Sequence, residues 1–224
     1  MSSPVVNLSS VWKADRAFTS FADEAPLSPM AVDLEWQPLT QSWLRGSVDS
    51  AFNPGWARIR WAASALHYDI ILLGSQPRNR ARSLNERTWE LGDVCEIFVQ
   101  VVGQEQYLEI HITPENQRLQ LRWPADGLAR FREGQTEFGA FTVEHRDWMQ
   151  SATRLGPGFW IVHAILPFTC LDLEPTAEVP TLRTAICRYD YEAGTSPVLS
   201  STALLSAPDF HRPREWHTLK LSPE

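Results

Sequence analysis

The chain has 224 residues, 43% of them hydrophobic and 21% charged, which are the proportions of an ordinary soluble globular protein. At this length a single domain buries about 70–75% of the surface of its unfolded chain, so bulk stability requires neither a disulfide nor a metal. The formal net charge of −7, without a basic cluster, argues against nucleic acid or an anionic membrane as the partner.

The N-terminal residues 1–30 are predicted to be a loosely structured segment, with an entry strand at 5–12. No apolar stretch follows a basic start, and no window of about 18 apolar residues occurs in the chain, so neither a secretion signal nor a membrane span is predicted. The sequence does not indicate a compartment. Cys95, Cys170 and Cys187 are odd in number and far apart in strand-like segments, so we expect buried free thiols.

Short segments rich in β-forming residues succeed one another along most of the chain. After weak candidates at 33–39 and 47–52, the predicted strands are 56–62, 66–73, 94–102, 106–112, 119–123, 138–145, 148–155, 159–166, 181–191, 198–205 and 216–221. Sixteen prolines are scattered among them, and no segment shows a helical stripe. We therefore predict an all-β protein with one domain, residues 1–224. Its fold would be a jelly-roll-like antiparallel β-sandwich, with two packed sheets, long loops and little helix.

Alternation in the three central strands separates an apolar face from a second face of unusual composition. The apolar face, the predicted core, carries Cys95, Ile97, Val99, Val101, Leu108, Ile110, Ile112, Leu119 and Leu121. The other face carries Glu96, Phe98, Tyr107, Glu109, His111 and Arg122. Such carboxylates, rings and cations could bind a polyhydroxylated ligand, or they could pair with one another across the strands.

The usual catalytic and metal-binding motifs do not occur. There is no G-x-S-x-G, no H-x-x-x-H and no C-x-x-C, so neither a serine hydrolase nor a zinc site is predicted. Glu96 and Glu109 are the enzymatic alternative, because two carboxylates on neighbouring strands could stand about 5–5.5 Å apart, as in retaining glycosidases. The same groups could instead pair with Arg122 and His111. No cofactor is predicted, and a structural calcium ion held by distant loops is left open.

Several motifs, taken in order, resemble one family. The segments WELGDVCEIF at 89–98 and YLEIHITP at 107–114 are similar to the hallmark of carbohydrate-binding module family 9 and its DOMON-like relatives. The resemblance continues in FWIVHAILPFTCL at 159–171, in the arginine-rich strand at 183–188 and in FHRP at 210–213, and it covers most of residues 40–221. The chain departs from the family pattern at His163, where the pattern has Glu, and at Ala185, where a polar residue is expected.

The resemblance implies a non-catalytic sandwich that holds a glycan end or a small sugar between aromatic rings. Trp89 matches the aromatic residue before the acidic strand, Glu96 matches the sugar-facing acid, and Arg188 lies where a polar side chain lines the slot. The second ring is expected from Trp148, with Trp123 as the second choice because alternation turns Trp123 toward the core. The physical logic is that sugar rings stack on aromatic faces, while their hydroxyls require fixed donors and acceptors.

The expected function is therefore recognition of a sugar or glycan without bond cleavage. Two alternatives are kept open: a glycoside hydrolase that uses Glu96 and Glu109, and a protein-interaction sandwich that has lost sugar binding. If both carboxylates were buried and bonded to Arg or His, the interaction module would gain support. The sequence indicates neither the sugar nor the oligomeric state.

Overall fold

The structure, a computed structural model, describes residues 35–221 except residues 63, 174–179, 193 and 195, and the backbone alone at residue 62. The predicted N-terminal segment, residues 1–30 with its entry strand at 5–12, lies outside these residues. Within the described part, no helix has the length and apolar character needed to cross a membrane.

The described residues form two antiparallel sheets. The elements are β1 (Gln37–Pro38), β2 (Gly55–Ala62), β3 (Ala65–Leu73), β4 (Val94–Val101), β5 (Tyr107–Ile112), β6 (Arg118–Trp123), α1 (Gly127–Arg132), β7 (Gln150–Gly156), β8 (Phe159–Pro167), β9 (Thr181–Asp190), β10 (Val198–Ser201) and β11 (His217–Lys220). Sheet A has the order β1-β2-β3-β8-β7, and sheet B has the order β10-β9-β4-β5-β6, with β11 also paired to β9. The predicted all-β antiparallel sandwich with little helix is confirmed.

Some predicted strands are wrong. Residues 47–52 form no strand, and the connector after β6 contains the short helix α1. Residues 138–145 contain the 3-10 turn Phe138–Phe141 and no named strand. The reason is spacing: Phe138 and Phe141 both pack on one apolar cluster, and residues three apart share a side in a 3-10 turn but lie on opposite sides in a strand.

The main core lies between the two sheets. Its members from sheet B are Cys95, Ile97, Val99, Val101, Leu108, Ile110, Ile112, Leu182, Ile186 and Leu219, and those from sheet A include Leu66, Tyr68, Ile70, Leu72, Trp160 and Val162. The apolar face predicted for the first two central strands is thus the inner face of sheet B. Cys95, Cys170 and Cys187 are buried free thiols.

A second apolar cluster covers the outer face of sheet B. We call it the outer cluster; it comprises Phe98, Tyr107, Leu119, Leu121, Trp123, Phe141, Ala185, Cys187, Ala203, Leu205, Phe210 and Trp216. Two loop regions, residues 124–142 and 203–216, supply its outer members and fold over the strands. The two loop regions therefore cover the edges of the predicted polar face and leave a recess at its centre.

The outer face of sheet A holds a buried ionic cluster. Asp69 is 0% exposed and accepts hydrogen bonds from Arg58 (2.9 Å), Arg60 (2.9 Å) and His163 Nδ1 (2.7 Å). These partners stand beside Asp69 because Arg58 and His163 are its register neighbours on β2 and β8. The charges of Arg60 and His163 and their hydrogen bonds outweigh the cost of burial, so the pKa of Asp69 is held below its usual range.

His67, next to this cluster, predicts how stability depends on pH. Burial, followed by the nearby charges of Arg60 and His163, lowers the pKa of His67 from 6.5 to about 4. The unfolded chain therefore binds the proton more tightly. The neutral form of His67 therefore adds up to about 3 kcal/mol to the free energy of unfolding. This stabilisation is complete above pH 6.5 and is lost as the pH falls toward 4.

Urea unfolding between pH 7 and 4.5 tests this expectation, with His67→Gln beside the wild type. The variant should lose less stability on acidification than the wild type does. Parallel pH dependences for the two proteins would show that His67 does not control this range.

Candidate functional site

The recess on the outer face of sheet B is a cavity of about 170 Å³, which we call the slot. Its lining residues are Trp89, Glu96, Glu109, His111, Leu121, Trp123, Leu128, Phe131, Arg132, Phe138, Tyr189 and His211. Strands β4, β5, β6 and β9 provide the floor and one wall, the 3-10 turn Thr88–Glu90 provides Trp89, and the two covering loop regions provide the rest. The slot thus combines buried ionisable groups with an aromatic rim.

Three ionisable side chains form the floor. Glu96 stands opposite His111 in the β4–β5 register, and Glu109 lies two residues before His111 on the same face. His111 Nε2 is 2.7 Å from Glu109 Oε1 and 3.2 Å from Glu96 Oε1. The other ring nitrogen, Nδ1, is 2.8 Å from the hydroxyl of Thr88. All three floor residues are buried, with exposures of 3%, 4% and 1% for Glu96, Glu109 and His111.

The floor groups differ in their protonation. Burial, reinforced by the charge of Glu109, raises the pKa of Glu96 to about 8 although His111 opposes the shift. Burial also disfavours ionisation of Glu109, but His211, His111 and the indole N–H of Trp123 together hold the pKa of Glu109 below its usual value. The two carboxylates raise the pKa of His111 against the effect of burial. The floor thus pairs a carboxyl group, Glu96, whose ionisation burial disfavours with another, Glu109, whose ionisation its neighbours favour.

Aromatic rings surround the floor. Trp89 is half-buried and presents its ring at an angle of 69° to His111 at 5.6 Å, and it also contacts Phe138 at 5.5 Å. Trp123 donates its indole N–H to Glu109 Oε2 at 2.6 Å. The hydroxyl of Tyr191 donates to the carbonyl oxygen of Trp89 and so fixes the turn that carries this ring.

His211, which sequence reasoning did not place in the site, closes one side of the slot. Its Nδ1 is 2.8 Å from the hydroxyl of Tyr107 and 3.8 Å from Glu109 Oε2. Burial lowers the pKa of His211 despite the neighbouring carboxylate of Glu109. Arg132, on α1, lies exposed at the rim and brings a positive charge to it.

Two predicted site residues lie on the correct face but beneath the slot. Phe98 is 0% exposed and packs against Phe210 and Trp216 in the outer cluster. Tyr107 is 7% exposed and reaches the slot only through its hydroxyl contact with His211. Both residues support the wall and do not line the cavity.

Arg122 was assigned to the wrong face. The β5–β6 register sets Arg122 opposite Leu108, on the inner face of sheet B. There it donates to the carbonyl oxygen of Cys170 and pairs with Asp172. It takes no part in the floor, whose basic side chain is His111.

Trp148 and Arg188 also lie away from the slot. Trp148 packs against the main core between the sheets. Arg188 stands opposite Cys95, and alternation along β9 therefore turns it to the inner face, where it is 1% exposed and pairs with Asp190 at 3.0 Å. The arginine-rich strand thus presents Cys187 and Tyr189, rather than Arg188, on the slot side.

Trp123 takes the position that was expected of Trp148. The inward direction predicted for Trp123, Leu119 and Leu121 is wrong, since β6 pairs these residues with Tyr107, His111 and Glu109 on the outer face. Apolar residues can occupy that face because the outer cluster buries them. The sequence contains a signal for this cluster, because Leu128 and Phe131 follow β6 at helical spacing and so present apolar side chains on one side of α1.

Comparison with known proteins gives matches only in structure: no protein-family model matches the chain, and no curated protein matches it significantly. A Bacteroides uniformis protein provisionally named as carbohydrate-binding superposes with a TM-score of 0.64 at 17% identity, over 84% of this chain and 86% of that one. A family 9 carbohydrate-binding module from Caldicellulosiruptor kristjanssonii matches with a TM-score of 0.55 in its cellotriose complex, at 13% identity over 85% and 84% of the two chains. Its glucose complex gives 0.55 at 11% identity, over 85% of each chain. The chain has their fold.

At these identities the match to the family 9 module establishes the fold of this chain, and the function has to be argued from the slot. Two kinds of ligand suit its floor. A polyhydroxylated molecule could exchange hydrogen bonds with the carboxyl groups and the imidazole, and a metal ion could be held by Glu96, Glu109 and His111. The possible ligand atoms of these three residues all lie within 4.8 Å of one another. Among the described residues, this is the cluster of His, Cys, Asp or Glu side chains that is close enough to hold a metal ion.

Proposed function

We propose that the protein is a non-catalytic sugar-binding module and that the slot holds one sugar ring, either a small sugar or the end of a glycan. Trp89 and Trp123 would contact the apolar C–H faces of the ring. Glu96, Glu109 and His111 would bond its hydroxyls. Aromatic walls around a few convergent polar groups are the usual composition of a small-ligand site.

The observation that carries this proposal is the position of Glu96. It lines the slot, it is 97% buried, and its one polar contact among the described residues is with His111. One oxygen of the carboxyl group is therefore free to bond a ligand that enters the slot. A buried carboxyl group left without full hydrogen bonding costs about 1–3 kcal/mol, which a hydroxyl-rich ligand would recover.

The volume of the slot supports a small ligand. At about 170 Å³ it is smaller than the roughly 300–1,000 Å³ of pockets that enclose drug-sized molecules. A single ring suits this space better than a chain of several sugars. The solved family 9 complexes with glucose and with cellotriose show that this fold accommodates sugars in another protein.

The hydrolase alternative fits the floor less well. A retaining glycosidase needs one ionised nucleophile and one proton donor placed on two sides of a glycosidic bond. Here both carboxylates contact the same nitrogen of His111, so the imidazole occupies the space between them that a glycosidic bond would need. Incubation of any bound oligosaccharide with the protein, followed by product analysis, should return the sugar unchanged. Release of a cleaved product would instead support the glycoside hydrolase alternative.

The pairing of both carboxylates with His111 also favours the third possibility, a protein-interaction sandwich. In that case the floor would be a closed structural cluster, and the aromatic rim would contact a protein. The free oxygen of Glu96 decides our preference for a sugar, since a closed cluster would have used it.

Replacing Glu96 with alanine tests the assignment. We expect sugar affinity to fall at least tenfold, because a buried charged or proton-donating carboxyl group contributes about 1.5–3 kcal/mol to a hydrogen bond. Titration calorimetry gives the affinity, and circular dichroism confirms the fold. Glu90→Ala removes a carboxylate from an exposed neighbouring position and should bind like the wild type. Equal affinities for the two variants would contradict the role of Glu96.

A further inference from the structure

We infer that Glu96, Glu109 and His111 form a binding site for a divalent transition-metal ion, with zinc as the best-fitting example. This goes beyond the proposed sugar binding and does not depend on it. The three side chains would supply one nitrogen and two oxygen ligands at the floor of the slot.

The distances suit a metal centre. A zinc ion with bonds of about 2.0–2.2 Å to imidazole and carboxylate holds its ligand atoms roughly 3–3.5 Å apart. In the structure His111 Nε2 is 2.7 Å and 3.2 Å from the two carboxylate oxygens. Small rotations of Glu109 and Glu96 would open the space that the ion requires, with the cavity in front of them.

The imidazole is held as a metal ligand usually is. In protein metal sites a ligating His uses one ring nitrogen for the metal, and the other bonds a partner that fixes the ring. The hydroxyl of Thr88, 2.8 Å from His111 Nδ1, is such a partner. If Nδ1 donates its hydrogen to Thr88, Nε2 is left with a lone pair that points between the two carboxylates.

Charge supplies the independent argument. Two carboxyl groups that are at least 96% buried share the imidazole of His111, and His211 lies 3.8 Å from Glu109. Neither Lys nor Arg forms a salt bridge with either carboxyl group among the described residues. Buried carboxylates are stabilised by positive charge beside them, which a metal ion bound in the slot would supply. Glu96 lines the slot and has His111 as its one polar contact among the described residues, so its second oxygen can bind a metal ion that enters the slot.

The mixed donor set selects the class of metal. Imidazole suits zinc and related transition ions, whereas magnesium and calcium favour sites made entirely of oxygen. Three protein ligands leave at least one coordination position directed into the slot. Water or the hydroxyl of a ligand could occupy that position.

Calorimetric titration of the purified, chelator-treated full chain with Zn²⁺, without sugar, tests the inference. We expect the protein to bind one equivalent of Zn²⁺ tightly. His111→Gln should weaken this affinity about 100-fold or more, and Glu109→Gln should weaken it by a similar factor. Ca²⁺ at the same concentrations should not bind. His145→Gln, which removes an exposed imidazole elsewhere, is the matched control and should bind like the wild type.

Because His111 is buried, its variant could fail to fold, and Thr88→Val provides a second test that keeps all three ligands. Loss of the bond that orients the ring should weaken Zn²⁺ binding about 10–100-fold. Binding unaffected by Thr88→Val and by Glu109→Gln, or no stoichiometric binding to the wild type, would overturn the inference. Since the titration contains no sugar, its failure would leave the proposed sugar site untested and intact.

Discussion

Replacing Trp89 with alanine is expected to abolish sugar binding while the protein remains folded. The ring is half-buried at the edge of the slot, and it contacts His111 and Phe138 without belonging to the main core. Removal of a central aromatic contact should cost at least about 2 kcal/mol of binding, which is roughly a 30-fold loss of affinity. Titration calorimetry measures the affinity, and the thermal unfolding midpoint should move by only a few degrees.

Trp148→Phe is the matched control, because Trp148 packs between the sheets and away from the slot. That variant should bind sugar with wild-type affinity even if it unfolds at a lower temperature. If Trp89→Ala failed to fold, or if it bound as tightly as the wild type, the ring would be structural and the assignment of the slot would be wrong.

Replacing Asp69 with alanine is expected to destabilise the protein by about 3–5 kcal/mol. The change leaves the buried Arg60 guanidinium without its carboxylate and also removes the partner of His163 Nδ1. Breaking a buried ion pair by deleting one member has this cost because a buried charge is left uncompensated. In a chain of this length the unfolding temperature should fall by roughly 6–20 °C.

Asp126→Ala provides the contrast for this experiment. Asp126 lies 4.0 Å from Arg130 in an exposed pair, with side-chain exposures of 67% and 45%. Such pairs contribute about 0–1 kcal/mol, so urea unfolding should hardly change. A loss of less than about 1 kcal/mol for Asp69→Ala would show that the cluster on sheet A does not contribute to stability.

The fold could be predicted because its signals are local and repeated. Alternation in β4 and β5 is regular, and it correctly separated Ile97 and Ile110 in the main core from Glu96 and Glu109 on the other face. Frequent turns and the lack of a helical stripe were sufficient to indicate an antiparallel sandwich.

The site was only partly predictable, since half of it depends on packing between distant segments. The apolar residues of β6 face the outer cluster, so polarity alone could not show which side of that strand faces the main core. The prediction therefore placed Arg122 and Trp123 each on the wrong face of sheet B. Phe138 and His211 reach the slot from loops whose paths no periodic pattern records, and Phe131 reaches it from the short helix α1. The pairing of Tyr107 with His211 spans 104 residues and appears only in the fold.

A glycan array probed with the wild-type protein is the most direct test of the central claim, that the slot binds a sugar. The account predicts signals for a limited set of small sugars or glycan ends, and their absence when Trp89→Ala is applied to the same array. A blank array from folded wild-type protein would contradict the claim and would leave the aromatic rim as a surface for protein contact.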